Sequence, residues 1–143
     1  MRCPDCNKFV SFEEQDTEIS SLELHEDGSI SGEVRLANNC QDCGTELKEG
    51  YCEIEDSLAN IKEVFEHKCD EELLTPEKKA MGPGWSMEES DSYRDQRYEG
   101  KGRGTRTFYI GIVNVELTCD RCDEIVQHEL QCELQASAME ELV

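Results

Sequence analysis

"NNCQDCGTELKEGYCEIE" occupies residues 38–55, and "LTCDRCDEIVQHELQCELQ" occupies residues 117–135. Each block holds a Cys-x-x-Cys pair, a polar strand-like run, and a single cysteine followed by Glu and an aliphatic residue. Extended at its N-terminal side, "GEVRLANNCQDCGTELKEGYCEIE" lies over "GIVNVELTCDRCDEIVQHELQCELQ" with one gap. Both read as strand, Cys-x-x-Cys turn, strand, so an internal duplication of one small unit is the economical explanation. The alignment makes Cys52 and Cys132 repeat mates.

A third pair, Cys3/Cys6 in "CPDC", opens the chain. Two intervening residues let both thiolates face one metal, and the residue after the second Cys then has to accept positive φ. Those residues are Asn7, Gly44 and Asp123, types that tolerate the left-handed region. Zinc prefers four tetrahedral ligands, and two such knuckles close one structural site. Cys3, Cys6, Cys40 and Cys43 form the natural quartet. With "CPDC" and "CQDCG" knuckles flanking strands, the chain resembles the zinc-ribbon superfamily over residues 1–55 and, through the repeat, over 107–135. The resemblance implies ligand roles for those four cysteines and a small antiparallel sheet. It implies no catalytic residue, because zinc ribbons serve many functions.

Cys119/Cys122 has no obvious second pair. Cys132 lies ten residues beyond Cys122, about 30 Å along an extended strand, and alternates with Val126, His128, Leu130 and Leu134 on one face. Cys132 and Cys52 therefore read as small buried core residues. Cys69 and His67 are the remaining candidates. In an unbroken helix they point about 160° apart and cannot share a metal. If the helix breaks near His67, "HKC" completes the second site. Two copies of Cys119/Cys122 meeting across a homodimer is the other way to close it. One or two zinc ions per chain are expected. His25 and His128 read as ordinary strand positions.

The chain has 143 residues, of which 36% are hydrophobic, 6% aromatic and 34% charged, with nine cysteines and a net charge of −20. So lean an apolar content suits a small fold held together by metal. No apolar run marks a signal peptide or a membrane span, so a cytoplasmic location is expected (a virion or host cytoplasm if the source is viral), where clustered thiols read as metal ligands rather than disulfides. The negative field repels nucleic acid and membrane and favours cationic partners, with a merely solubilising or salt-adapted acidic surface as the plainer reading.

The fold expected is mainly β with one helix: two small antiparallel zinc-ribbon-like sheets related by the repeat, joined by a helix and a long loop. Residues 1–55 form the first unit. Within it, 17–36 read as a hairpin whose three-residue loop Glu26-Asp27-Gly28 sets Leu24 opposite Ile30. Residues 56–81 form a linking helix, with Leu58, Ile61, Phe65, Cys69 and Leu73 on one stripe over 57–74. Residues 82–106 read as a Gly- and Arg-rich loop, and 107–143 as the second unit, its tail ending in a helical turn.

Residues 92–109 carry five basic against two acidic residues, with aromatics interleaved. Arg94, Arg97, Lys101, Arg103, Arg106, Tyr93 and Tyr98 on a flexible loop form a candidate partner-binding element, able to stack on bases or to grip an acidic neighbour. No acid/base pair, activated nucleophile or phosphate loop stands out. The expectation is a non-enzymatic zinc-binding adaptor or regulatory module for a basic protein partner, with mimicry of nucleic acid as a special case. Direct RNA or DNA binding and a structural role in a larger assembly are the alternatives.

Overall fold

In the computed structural model, residues 2–7, 15–40, 42–82, 84–100 and 102–142 are described, without the side chains of Gln15, Asp16 and Arg103. Strands β1 (Gln15–Leu24), β2 (Ser29–Asn39) and β3 (Glu46–Ser57) are followed by short helices α1 (Lys62–Phe65) and α2 (Pro76–Ala80). Strands β4 (Trp85–Glu99), β5 (Arg106–Cys119), β6 (Ile125–Gln135) and β7 (Glu140–Glu141) complete the chain. They make two antiparallel sheets, ordered β1-β2-β3-β7 and β4-β5-β6. The protein is thus mainly β with two sheets.

Period-two alternation decides which face is buried. Ile30, Val34 and Leu36 of β2 join Cys52 and Ile54 of β3 on one inner face, opposite Val113, Val115, Leu117, Leu130 and Cys132 of β5 and β6. All ten belong to one apolar cluster, and β3 lies on β6 as β1 lies on β4. Burying a side chain such as Leu36 is worth about 1.5–3 kcal/mol each. The repeat units thus share a core that neither could form alone.

The first hairpin has the expected loop. Leu24 pairs with Ile30, and His25 N–H donates to Ser29 O at 2.8 Å. Gly28 takes φ +88°, which a side chain would strain.

Four expectations need correction. First, 57–74 is no continuous helix: α1 stops after Phe65, and only a single 3-10 turn follows at Glu71–Leu73. Ile61 and Val64 are buried, whereas Phe65 and Leu73 are exposed, so the stripe is cut in two. Second, 82–106 is no long loop. Residues 85–99 are a strand paired with β5 from Trp85↔Cys119 to Glu99↔Arg106. Its inward positions are apolar only at Trp85 and Met87 and turn polar beyond, which erases the alternation that marks a strand. Third, the tail adds a 3-10 turn at Ala136–Ala138, but its end pairs as β7 with Lys48 and Glu49 of β3.

The fourth concerns the repeat. Leu47 is an extra residue in β3, since Asn38 pairs with Lys48 and Asn39 with Glu46. The bulge turns Leu47 toward Cys3 and Cys40. β6 pairs without a shift, so Cys52 sits opposite Val34 while Cys132 sits opposite Gly111, two positions further from its knuckle. The two cysteines are therefore not equivalent, although both face inward. They meet between the sheets and form a disulfide, with Cα atoms 5.7 Å apart. Both are core residues as expected, and bonded as well. Gly111 makes the space: a Cβ there would lie 3.0 Å from Cys132 Sγ and 3.2 Å from Val34 Cγ1. Gly111→Ala is expected to lower stability by about 1–3 kcal/mol through overpacking, read from the denaturant midpoint. An unchanged midpoint contradicts that packing.

A polar pair also ties the sheets. His128 Nε2 lies 2.9 Å from Asp56 Oδ2, with both side chains more than three-quarters buried. Burial raises the Asp56 carboxyl, but bonds from His128, the Ser57 N–H and Asn60 outweigh it and hold the carboxyl below its ordinary 3.8. A depressed folded-state pKa contributes stability that is present above the unfolded value and lost as pH falls through the folded one. Asp56→Asn is therefore expected to be less stable than the parent at pH 7, with the difference closing below pH 4. A difference that does not shrink as pH falls below 4 contradicts this linkage.

Candidate metal centres

Each Cys-x-x-Cys turn closes in the same way. Asn7 N–H donates to Cys3 O at 2.8 Å, Gly44 N–H to Cys40 O at 2.9 Å and Asp123 N–H to Cys119 O at 2.8 Å. Asn7, Gly44 and Asp123 all have positive φ, at 57°, 76° and 62°. Behind the second and third turns the strands begin pairing, with Cys40 N–H on Thr45 O and Cys119 N–H on Glu124 O at 2.8 and 2.9 Å. The turn presents two thiols on one side and hands the chain back to the sheet.

Cys3, Cys6, Cys40 and Cys43 converge, their sulfurs within 4.8 Å of one another. Cys3 and Cys43 sulfurs are 3.5 Å apart, and Cys6 and Cys40 sulfurs 3.4 Å. A tetrahedral ion with metal–sulfur bonds of 2.3 Å sets ligand sulfurs about 3.8 Å apart, so the quartet has nearly the spacing a metal ion needs. Cys3 and Cys40 are buried with Leu47, and Cys43 is exposed. The Thr45 hydroxyl, 3.1 Å from Cys43 Sγ, and the Thr45 N–H hold that thiol down at about 6. The same hydroxyl lies 2.6 Å from Asp5 Oδ2, so its one proton is shared between the Cys43 sulfur and that carboxylate, and it links the two knuckles.

The second cluster is His67, Cys69, Cys119 and Cys122. Its existence depends on α1 ending at Phe65. Beyond it the chain extends and turns His67 and Cys69 to the same side, which a continuous helix forbids. His67 Nε2 lies 3.3 Å from Cys122 Sγ and 3.5 Å from Cys69 Sγ, and Cys69 Sγ lies 3.5 Å from Cys119 Sγ. Both candidates left open by the sequence are therefore brought to the third knuckle. The set closes within one chain, without a partner copy. Partial burial and the adjacent Cys119 and Cys122 push the Cys69 thiol up to about 12. Burial also acts on Cys119, but the N–H groups of Cys122 and Arg121 outweigh it and hold that thiol near 7. A metal arriving here must displace the Cys69 proton, so its affinity rises with pH.

One residue of this site was not legible in the sequence. Glu124 Oε2 lies 2.7 Å from His67 Nδ1. That contact places the Nδ1 proton toward the carboxylate and leaves Nε2 as the ligand nitrogen. Trp85 packs edge-on to the ring at 5.2 Å. Glu124→Gln is expected to weaken metal binding at this centre about 10–100-fold and to leave the four-cysteine centre unchanged, as measured by chelator competition. Equal loss at both centres, or none, contradicts the assignment.

The candidate partner-binding residues do not converge. Tyr93 and Arg97 share one face of β4, and Arg94 and Tyr98 the other. Arg97 pairs with Glu99 and Glu133 and lies over Phe108, while Arg94 donates to Gln96 and lies over Tyr109. Tyr93 Oη donates to Glu129. Arg106 starts β5. Lys101 and the Arg103 side chain lie outside the described residues. Among the described residues, no helix is long and apolar enough to cross a membrane. No protein-family model, curated protein or solved structure matches this chain.

Proposed function

We propose that the chain is a non-enzymatic zinc-ribbon-like module with two structural zinc ions, whose acidic surface engages a basic protein partner. The observation that carries the metal part is the pair of complete donor sets, four cysteines in one and three cysteines with one histidine in the other. Sulfur-rich tetrahedral sites of this kind suit zinc. Four protein ligands fill its shell, which is the pattern of structural rather than catalytic zinc.

The partner reading rests on the strands' outer faces. Glu33 pairs directly with Glu53, and Glu88 with Glu116. Like charges opposed across a ladder cost stability, so this surface is better matched to a cationic partner than to folding. The ion pairing of Arg97 weakens the case for a phosphate-binding strand. The test compares a Lys/Arg-rich peptide with RNA and duplex DNA of similar charge at low salt. Salt-sensitive peptide binding that weakens in a Glu33→Gln, Glu53→Gln variant supports the reading. A mobility shift with either nucleic acid and none with the peptide overturns it.

A further inference from the structure

Trp85 is the single tryptophan of the chain, and it separates two recesses. On one side stands His67, in the recess over the second metal centre. On the other side the indole lines an open cleft of about 410 Å³, with Leu24, His25 and Glu26 from the end of β1 and its turn, Leu58 after β3, and Asp120 inside the third knuckle. The cleft is open and roomy enough to admit an extended side chain.

The lining has two chemistries. Leu24 and Leu58 are half-buried and apolar. Glu26 is exposed, and Asp120 is held in place: its Oδ1 accepts from Ser86 Oγ at 2.6 Å, and its backbone N–H donates to Gly84 O at 3.0 Å. Asp120 Oδ2 rests over Gly84, where a Cβ would come within 2.8 Å of it. Lys78 Nζ bonds the Asp120 carbonyl oxygen at 2.7 Å, on the main chain rather than the carboxylate. An indole and two carboxylates beside an apolar wall match a group with an aliphatic stem and a cationic head.

We propose that this cleft seats one lysine or arginine side chain of the protein partner, its stem along Leu24 and Leu58 and its cation between Glu26, Asp120 and the Trp85 ring. The proposal rests on the reading of the chain as a module for a basic partner and gives that partner a specific seat. Because Asp120 lies between the ligand Cys119 and Arg121, the seat is formed only when the knuckle is in place.

The test uses the metal-loaded full chain and four short capped peptides that differ at one position: lysine, arginine, norleucine and glutamate. Trp85 fluorescence is the readout. The expected result is a saturable change with the lysine and arginine peptides and none with the other two. Glu26→Gln, on an exposed turn and itself in neither metal cluster, is expected to weaken the lysine peptide about two- to fivefold with an unchanged far-ultraviolet spectrum. Asp120→Asn is expected to weaken it further. Equal responses to lysine and norleucine, or lysine binding unaffected by both substitutions, overturn the cleft. If the single-site peptides fail while a long basic peptide still binds, the seat is wrong and the module reading stands. If the long peptide also fails, both fall.

Discussion

Replacing Cys119 with serine is expected to unfold much of the protein at 37 °C, whereas Cys40→Ser loosens mainly its N-terminal end. Both substitutions damage a four-ligand site, but the sites brace different amounts of structure. The first centre fastens residues 3–6 to the β2–β3 turn and shares a small cluster with Leu47. The second fastens the whole 58–81 connection to the β5–β6 turn. Along that connection Ile61 and Val64 enter the main core, and Trp85 packs against both the core and His67. Structural zinc contributes about 10–16 kcal/mol of apparent binding free energy in small domains, comparable with a domain's whole stability of about 5–15 kcal/mol. Thermal unfolding followed by Trp85 fluorescence compares the two variants. Equal loss in both, or greater loss in Cys40→Ser, contradicts this division of labour.

The disulfide carries the second large effect. Cys52 and Cys132 are 80 residues apart in sequence, so their bond closes a long loop in the unfolded chain. The chain-entropy account gives about 4.5 kcal/mol for a loop of that length, and measured values run from about 0 to 5 kcal/mol. The paired substitution Cys52→Ala, Cys132→Ala also removes two buried sulfurs from the middle of the core. A loss of about 3–5 kcal/mol is expected, with the metal count unchanged, because neither residue belongs to a metal cluster. Alkylation without reductant followed by mass spectrometry reads the same bond directly. It should leave Cys52 and Cys132 unmodified after the metals are stripped and the chain is denatured. Labelling of both under those conditions contradicts the disulfide.

How much of this was legible in the sequence depended on how local each signal was. The knuckles were legible because their chemistry is contained in four or five residues, and Asn7, Gly44 and Asp123 take the backbone conformation their positions imply. The first hairpin was legible because only one loop length sets Leu24 opposite Ile30. β4 was hidden because its partner β5 supplies the apolar face, leaving an edge strand that reads as polar loop. The end of the helix at Phe65 was hidden for a different reason: the apolar stripe from Leu58 to Leu73 favours continuation, and convergence of His67 and Cys69 on a distant knuckle overrides it. The disulfide needed the register. An alignment on the cysteines made Cys52 and Cys132 equivalent, and equivalent positions on two facing sheets give no reason to bond. The bulge at Leu47 and the one-residue-longer run from Cys122 to Cys132 together offset them by two positions, and only the folded sheets show that they meet.

In the proposed arrangement one chain completes two metal centres by itself. Native mass spectrometry of the zinc-loaded protein, with and without a chelator, is the decisive test. Two zinc ions per monomeric chain, one of them lost in Cys69→Ser with the four-cysteine centre still filled, is the predicted result. One zinc per chain, or three per dimer with the count unaffected by Cys69→Ser, would contradict it.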